Sequence, residues 1–103
     1  MNGSTKILVP LSNDLPEEMV RQYLQSCRKD LATLQRALSE FDWERARLFG
    51  HQLKGTGQPY GFLPLTQLGA AVERAAVRRD ATELGALSEQ LDDYLSRVEI
   101  TGE

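Results

Sequence analysis

Residues 20–41, Val-Arg-Gln-Tyr-Leu-Gln-Ser-Cys-Arg-Lys-Asp-Leu-Ala-Thr-Leu-Gln-Arg-Ala-Leu-Ser-Glu-Phe, carry apolar side chains at Val20, Leu24, Cys27, Leu31, Leu34, Leu38 and Phe41. The steps alternate four and three without a break for about six turns, the period of an amphipathic helix with one buried stripe. Just upstream, Asp14-Leu15-Pro16-Glu17 reads as its start, with Asp14 as the capping residue and an acidic residue three places on. Residues 1–13 have no helical period. Ile7, Leu8 and Val9 form a brief extended run, ended by Pro10 and the polar Ser12-Asn13. The expected organisation is an extended N-terminal segment over 1–13 and a helical domain over 14–103.

Downstream, Phe41-Asp42 interrupts the pattern and Asp42 is placed to cap a second helix. Trp43, Ala46, Gly50, Leu53 and Gly57 form its inward stripe, with Phe49 at the edge. Gly57 to Gly61, with Pro59 among them, reads as a loop. A third helix begins near Pro64 and buries Leu65, Leu68, Val72, Ala75 and Ala76, with Arg78-Arg79 at its C-terminal end. Asp80-Ala81-Thr82-Glu83 is another capping signal. The last helix aligns Leu84, Leu87, Leu91, Tyr94 or Leu95, and Val98. Four amphipathic helices with short connections and no strand-like alternation predict an all-α, antiparallel up-down-up-down four-helix bundle. The first helix, at about 24 residues, outruns partners of roughly 15 to 18. Its N-terminal turns then overhang the end of the second helix, so that Met19 and Tyr23 flank whatever lies there.

The totals narrow the function. A chain of 103 residues makes one domain with one core. A net charge of −3 argues against non-specific nucleic-acid binding. Apolar runs of only a few residues fall far short of a membrane span, and the N-terminal run is too short for a signal peptide. The single cysteine, Cys27, excludes an internal disulfide, fits a reducing compartment and lies on a core stripe as a small buried hydrophobe. One cysteine and one histidine make a metal site of the usual kind improbable. The expected setting is a monomer in the cytoplasm, with no cofactor.

The richest segment is Gly50-His51-Gln52-Leu53-Lys54-Gly55, followed by Thr56 and the loop to Gly61. His51, the only histidine, sits off the core stripe and is expected to be at least partly exposed. Arg47, Lys54 and Gly55 are its neighbours on the helix surface. A neutral imidazole is a competent nucleophile near pH 7, and Lys54, helped by Arg47, puts positive charge beside any phosphoryl group it receives. Glycine costs about 1 kcal/mol relative to alanine within a helix. Gly50 and Gly55 therefore make room either for a neighbouring helix or for a visitor. Spacing alone also allows His51 to be a solvated surface residue.

The run His51-Gln52-Leu53-Lys54-Gly55, then Gly61, then Val72-Glu73, resembles the signature of histidine-containing phosphotransfer (HPt) domains. Arg28-Lys29-Asp30 and Tyr60-Gly61-Phe62 are similar to one bacterial branch of that family, as are Ile7–Val9 and Val98-Glu99-Ile100 at the two ends. The likeness covers essentially residues 15–98 and departs from the family pattern at Gly57 and Pro59 in the loop. It implies a stand-alone phosphorelay carrier in two-component signal transduction. His51 would accept a phosphoryl group from an aspartyl phosphate on a receiver domain, through its outer ring nitrogen, and pass it to another receiver. Lys54 would stabilise the phosphoryl oxygens, Gly55 and Gly61 would keep the docking surface open, and Glu73 would bond the other imidazole nitrogen. The receiver, in a response regulator or hybrid kinase, would supply the metal and the aspartate chemistry.

No Gly-rich nucleotide loop or Mg²⁺-binding acidic cluster accompanies the histidine, so no kinase activity is expected. The main alternative is an adaptor that docks receivers without accepting phosphate. An enzyme such as a phosphohistidine phosphatase, and a purely structural bundle, are further alternatives. Arg45, Arg47, Arg74, Arg78 and Arg79 make the middle helices relatively basic, either to meet an acidic receiver pocket or as salt-bridged surface charge.

Overall fold

The computed structural model describes residues 5–11 and 14–101. The order is β1 (Ile7–Pro10), α1 (Glu17–Ser39), α2 (Trp43–Thr56), α3 (Leu63–Val77), α4 (Ala81–Arg97) and β2 (Val98–Thr101). The four helices form the expected all-α bundle, and α1 is the longest at 23 residues. The parts of the expected 1–13 and 14–103 segments that fall on residues 1–4, 12–13 and 102–103, Ser12-Asn13 among them, lie outside the described residues.

The α1 stripe buries Val20, Leu24, Cys27, Leu31 and Leu34 as its period requires. Two details of α1 differ from expectation. Its N-cap is Pro16, with no side-chain cap bond, so Asp14 lies two residues outside that position. At the other end Phe41 leaves the stripe and is 66% exposed, while Ala37 is buried instead. The reason is the turn. Phe41 has φ +56°, its N–H donates to the Leu38 carbonyl, and the Asp42 N–H reaches back to Ala37 at 2.8 Å. This is a Schellman closure with phenylalanine in the left-handed position that glycine usually takes. The α3–α4 turn repeats it, with Arg79 at φ +55° and the Asp80 N–H donating to Ala75 at 3.0 Å. In both turns the next residue is an aspartate that caps the following helix. Asp42 accepts from the Arg45 N–H and Asp80 from the Glu83 N–H. One three-residue unit thus stops a helix, reverses the chain and starts the next.

The chain ends depart most from the sequence reading. Val98, expected as the last residue of the α4 stripe, is instead the first residue of β2, which pairs in parallel with β1. Ile7 faces Val98 and Val9 faces Ile100, and Lys6 bridges to Glu99 at 2.7 Å. The Arg28 guanidinium on α1 donates to the Leu95 carbonyl at 2.9 Å, holding the junction of α4 and β2. β1 is therefore held against the strand that follows α4.

Candidate functional site

The site is built where α2 and α3 nearly touch. A Cβ placed on Gly50 would lie 2.5 Å from the Glu73 backbone nitrogen, and one on Gly69 would lie 2.5 Å from the Lys54 nitrogen. Only glycine at both positions allows the two backbones to come this close. That approach brings the short Glu73 side chain of α3 across to α2. Its Oε2 lies 3.1 Å from His51 Nδ1, and its Oε1 lies 2.7 Å from Lys54 Nζ. Gly50 thus serves the neighbouring helix. Gly55 serves open space, since nothing lies within 4 Å of a Cβ there.

The electrostatics set the histidine tautomer. The Lys54 bond holds the Glu73 carboxyl below the usual glutamate range, partial desolvation opposes it, and His51 adds to the lowering. An ionised carboxylate can only accept, so Nδ1 carries the ring proton. The Nε2 lone pair is therefore the free one, on a side chain that is 60% exposed. The arrangement can hold a nucleophilic nitrogen toward solvent with a lysine beside it and a carboxylate behind it.

Other expected site residues are arranged differently. The Arg47 guanidinium does not point to His51. It makes a two-pronged pair with Glu44, at 3.0 and 2.7 Å, which is the main reason its pKa is raised. Gly61 has open space around it, but its φ of +98° demands glycine on backbone grounds alone. Tyr23 meets α2 beyond the histidine. Its hydroxyl is 2.8 Å from Thr56 Oγ1, and its ring stacks on Tyr60 with centroids 4.1 Å apart. Burial pushes the Tyr23 phenol well above its usual pKa. Met19, one turn earlier on α1, is exposed. The α1 overhang is thus anchored to the end of α2 and to the loop, with no hydrogen bond or ring contact to His51 among the described residues.

Several participants escaped the sequence reading. The Thr66 hydroxyl inserts into the last turn of α2, accepting from the Gln58 N–H at 2.7 Å and donating to the Lys54 carbonyl at 3.0 Å. Gly57, one of the two departures from the family pattern, lets Thr66 approach. A Cβ there would meet the Thr66 nitrogen at 2.5 Å. Leu48, one turn before His51, and Val77, one turn after Glu73, are exposed apolar residues. Val77, Arg74 and Arg78 continue from Lys54 and Glu73 into an open hollow of about 430 Å³. The three-and-four spacing from His51 and Glu73 was the available signal for both apolar residues.

Among the described residues no helix is long and apolar enough to cross a membrane, and no group of three or more potential ligands is disposed to hold a metal. A family model described as Hpt domain matches residues 18–100, which take in nearly all of α1, the other three helices and most of β2. Comparison with curated proteins and with solved structures gives no match. The close-packed pair of helices, the exposed histidine held by Glu73 and a match over most of the length agree: the chain belongs to the Hpt domain family, whose members carry phosphoryl groups in two-component phosphorelays.

Proposed function

We propose that His51 is the phosphoryl acceptor of this carrier, taking the group from an aspartyl phosphate on one receiver domain and delivering it to another. The observation that carries this reading is the Glu73–His51 contact at 3.1 Å. With Nδ1 protonated, the Nε2 lone pair attacks phosphorus as the bond from phosphorus to the aspartate oxygen breaks, and the aspartate leaves as carboxylate. The imidazole becomes a phosphoimidazolium, and the Glu73 carboxylate opposite stabilises its positive charge, as a carboxylate does behind a catalytic histidine. Lys54 stands beside the incoming oxygens and exchanges its Glu73 contact for them. Delivery is the reverse: a receiver carboxylate attacks phosphorus and Nε2 departs with its electron pair. Leu48, Gly55 and Val77 give the receiver an open, partly apolar surface around the histidine, and Arg74 and Arg78 add positive charge at its edge.

The test is phosphotransfer from a panel of phosphorylated receiver domains to the wild-type chain and to His51→Gln. Label on the wild type alone, stable in alkali and lost in acid, supports the carrier. Binding to receivers without label supports the adaptor that docks and does not transfer.

A further inference from the structure

The molecule has a second concave face, turned away from the histidine. An open groove of about 890 Å³ runs between α3 and α4. Its floor is apolar, formed by Leu68 and Ala71 on α3 and by Ala86, Leu87 and Tyr94 on α4. Ala71 precedes Glu73 by two residues, which at roughly 100° per residue puts it on the far side of α3 from the His51 contact. The rim is acidic. Glu83, Glu89 and Asp93 line it, and no lysine or arginine does. Asp93 is paired with Arg97 at 2.8 Å, whereas Glu83 and Glu89 form no ion pair among the described residues. The histidine face, by contrast, carries Lys54, Arg74 and Arg78.

One residue in the wall of this groove, Tyr94, has a polar atom without a partner. Tyr94 is 8% exposed, and its hydroxyl is buried with no hydrogen bond among the described residues. Desolvation raises the phenol's pKa, so it remains an O–H donor. Buried polar groups are almost always paired, and one left unpaired destabilises the free chain. A shift of the Tyr94 ring that brought its hydroxyl to an acceptor from outside would remove that penalty.

We propose that the α3/α4 groove is a second docking site, which receives a basic amphipathic helix of a partner protein. The apolar stripe of such a helix meets Leu68, Ala71 and Leu87, its lysines and arginines meet Glu83 and Glu89, and a polar side chain accepts from the Tyr94 hydroxyl once the ring has shifted outward. Helix-in-groove recognition reuses the packing that already joins the bundle's helices. Because the groove lies behind α3, the partner can sit there while a receiver occupies the histidine face.

The probe is an 18-residue peptide of leucine and lysine in helical period, added to the full chain and followed by amide NMR. The expected result is saturable shifts confined to the groove side of α3 and to α4, with His51 and Lys54 unmoved. A peptide of the same composition without the period should bind at least about tenfold more weakly. Glu83→Lys combined with Glu89→Lys should weaken binding about tenfold while keeping the helical circular dichroism. Tyr94→Phe should melt no lower than wild type, yet bind about three- to tenfold more weakly. Equal binding of the aperiodic peptide, shifts centred on His51, or undiminished binding by Tyr94→Phe would each overturn the proposal. So would concentration-dependent shifts of the groove without peptide, which would assign it to a second copy of this chain.

Discussion

Glu73 accepts from two side chains with one carboxylate, and the two contacts have different consequences. The bond to His51 sets the tautomer. The bond to Lys54 keeps the ammonium beside the ring, where the proposed function has a phosphoryl group compete for it. Lys54→Ala should therefore slow phosphotransfer roughly ten- to a hundredfold with helicity unchanged, and an unaltered single-turnover rate would remove its assigned role. Glu73→Gln keeps the shape but not the charge, and should slow acceptance about tenfold. It also has a pH signature. A carboxyl whose pKa is lower in the native state contributes stability above its unfolded value, near 4.3 for glutamate, and loses it as pH falls through the lowered native value. The melting difference between wild type and Glu73→Gln should shrink as pH falls below about 4. Thermal melts from pH 3 to 7 would check both the direction and the window. His51, Lys54 and Gly55 were readable as a surface group because helix spacing alone puts them on one face. The Glu73 contact was expected only from family resemblance, since no local rule joins residues 22 apart.

At the scale of the element, glycines that look alike in sequence have opposite roles. Gly50→Ala drives a methyl into the Glu73 backbone and should cost about 1–3 kcal/mol. Gly55→Ala adds a methyl in open space and should stabilise α2 by up to about 1 kcal/mol. Chemical denaturation of the two variants gives opposite signs if α2 and α3 approach as described. A bulky residue at position 55 should leave stability intact and weaken receiver docking. The turns offer a second test. Arg79 holds a left-handed conformation that penalises any side chain, so Arg79→Gly should gain about 0.5–1 kcal/mol. A loss would mean that the arginine makes a compensating contact. The aspartate caps at 42 and 80 were legible because capping is local chemistry. The exposure of Phe41 was not, because its place in the three-and-four pattern gives no sign that the backbone turns left-handed there.

For the whole molecule, the parallel β1–β2 pair joins the strand before α1 to the strand after α4. Removing residues 1–10 would strip the cover from Ile100 and from Val98, which is 2% exposed in the intact chain. Losing one such buried contact is worth about 1.5–3 kcal/mol, a fall of about 10 °C in Tm for a domain of this size. Melting of the truncated chain at the wild-type temperature would show that the pair is an appendage. The sequence by itself determined the four helices, their buried stripes, two of their caps and the exposed histidine with its lysine. All of these follow from spacing within a few turns of one helix, where side-chain period and backbone hydrogen bonding are local. Only the tertiary structure decided that Val98 leaves α4 for a strand, since helix and strand readings alike bury that residue and pairing with Ile7 resolves them. It also decided which glycine faces a backbone and which faces solvent, that Arg47 turns to Glu44, and that Tyr94, in the wall of an acidic groove, is left with a buried unpaired hydroxyl. Each of those depends on how closely two helices approach, a distance that their packed side chains settle together and that no single segment encodes.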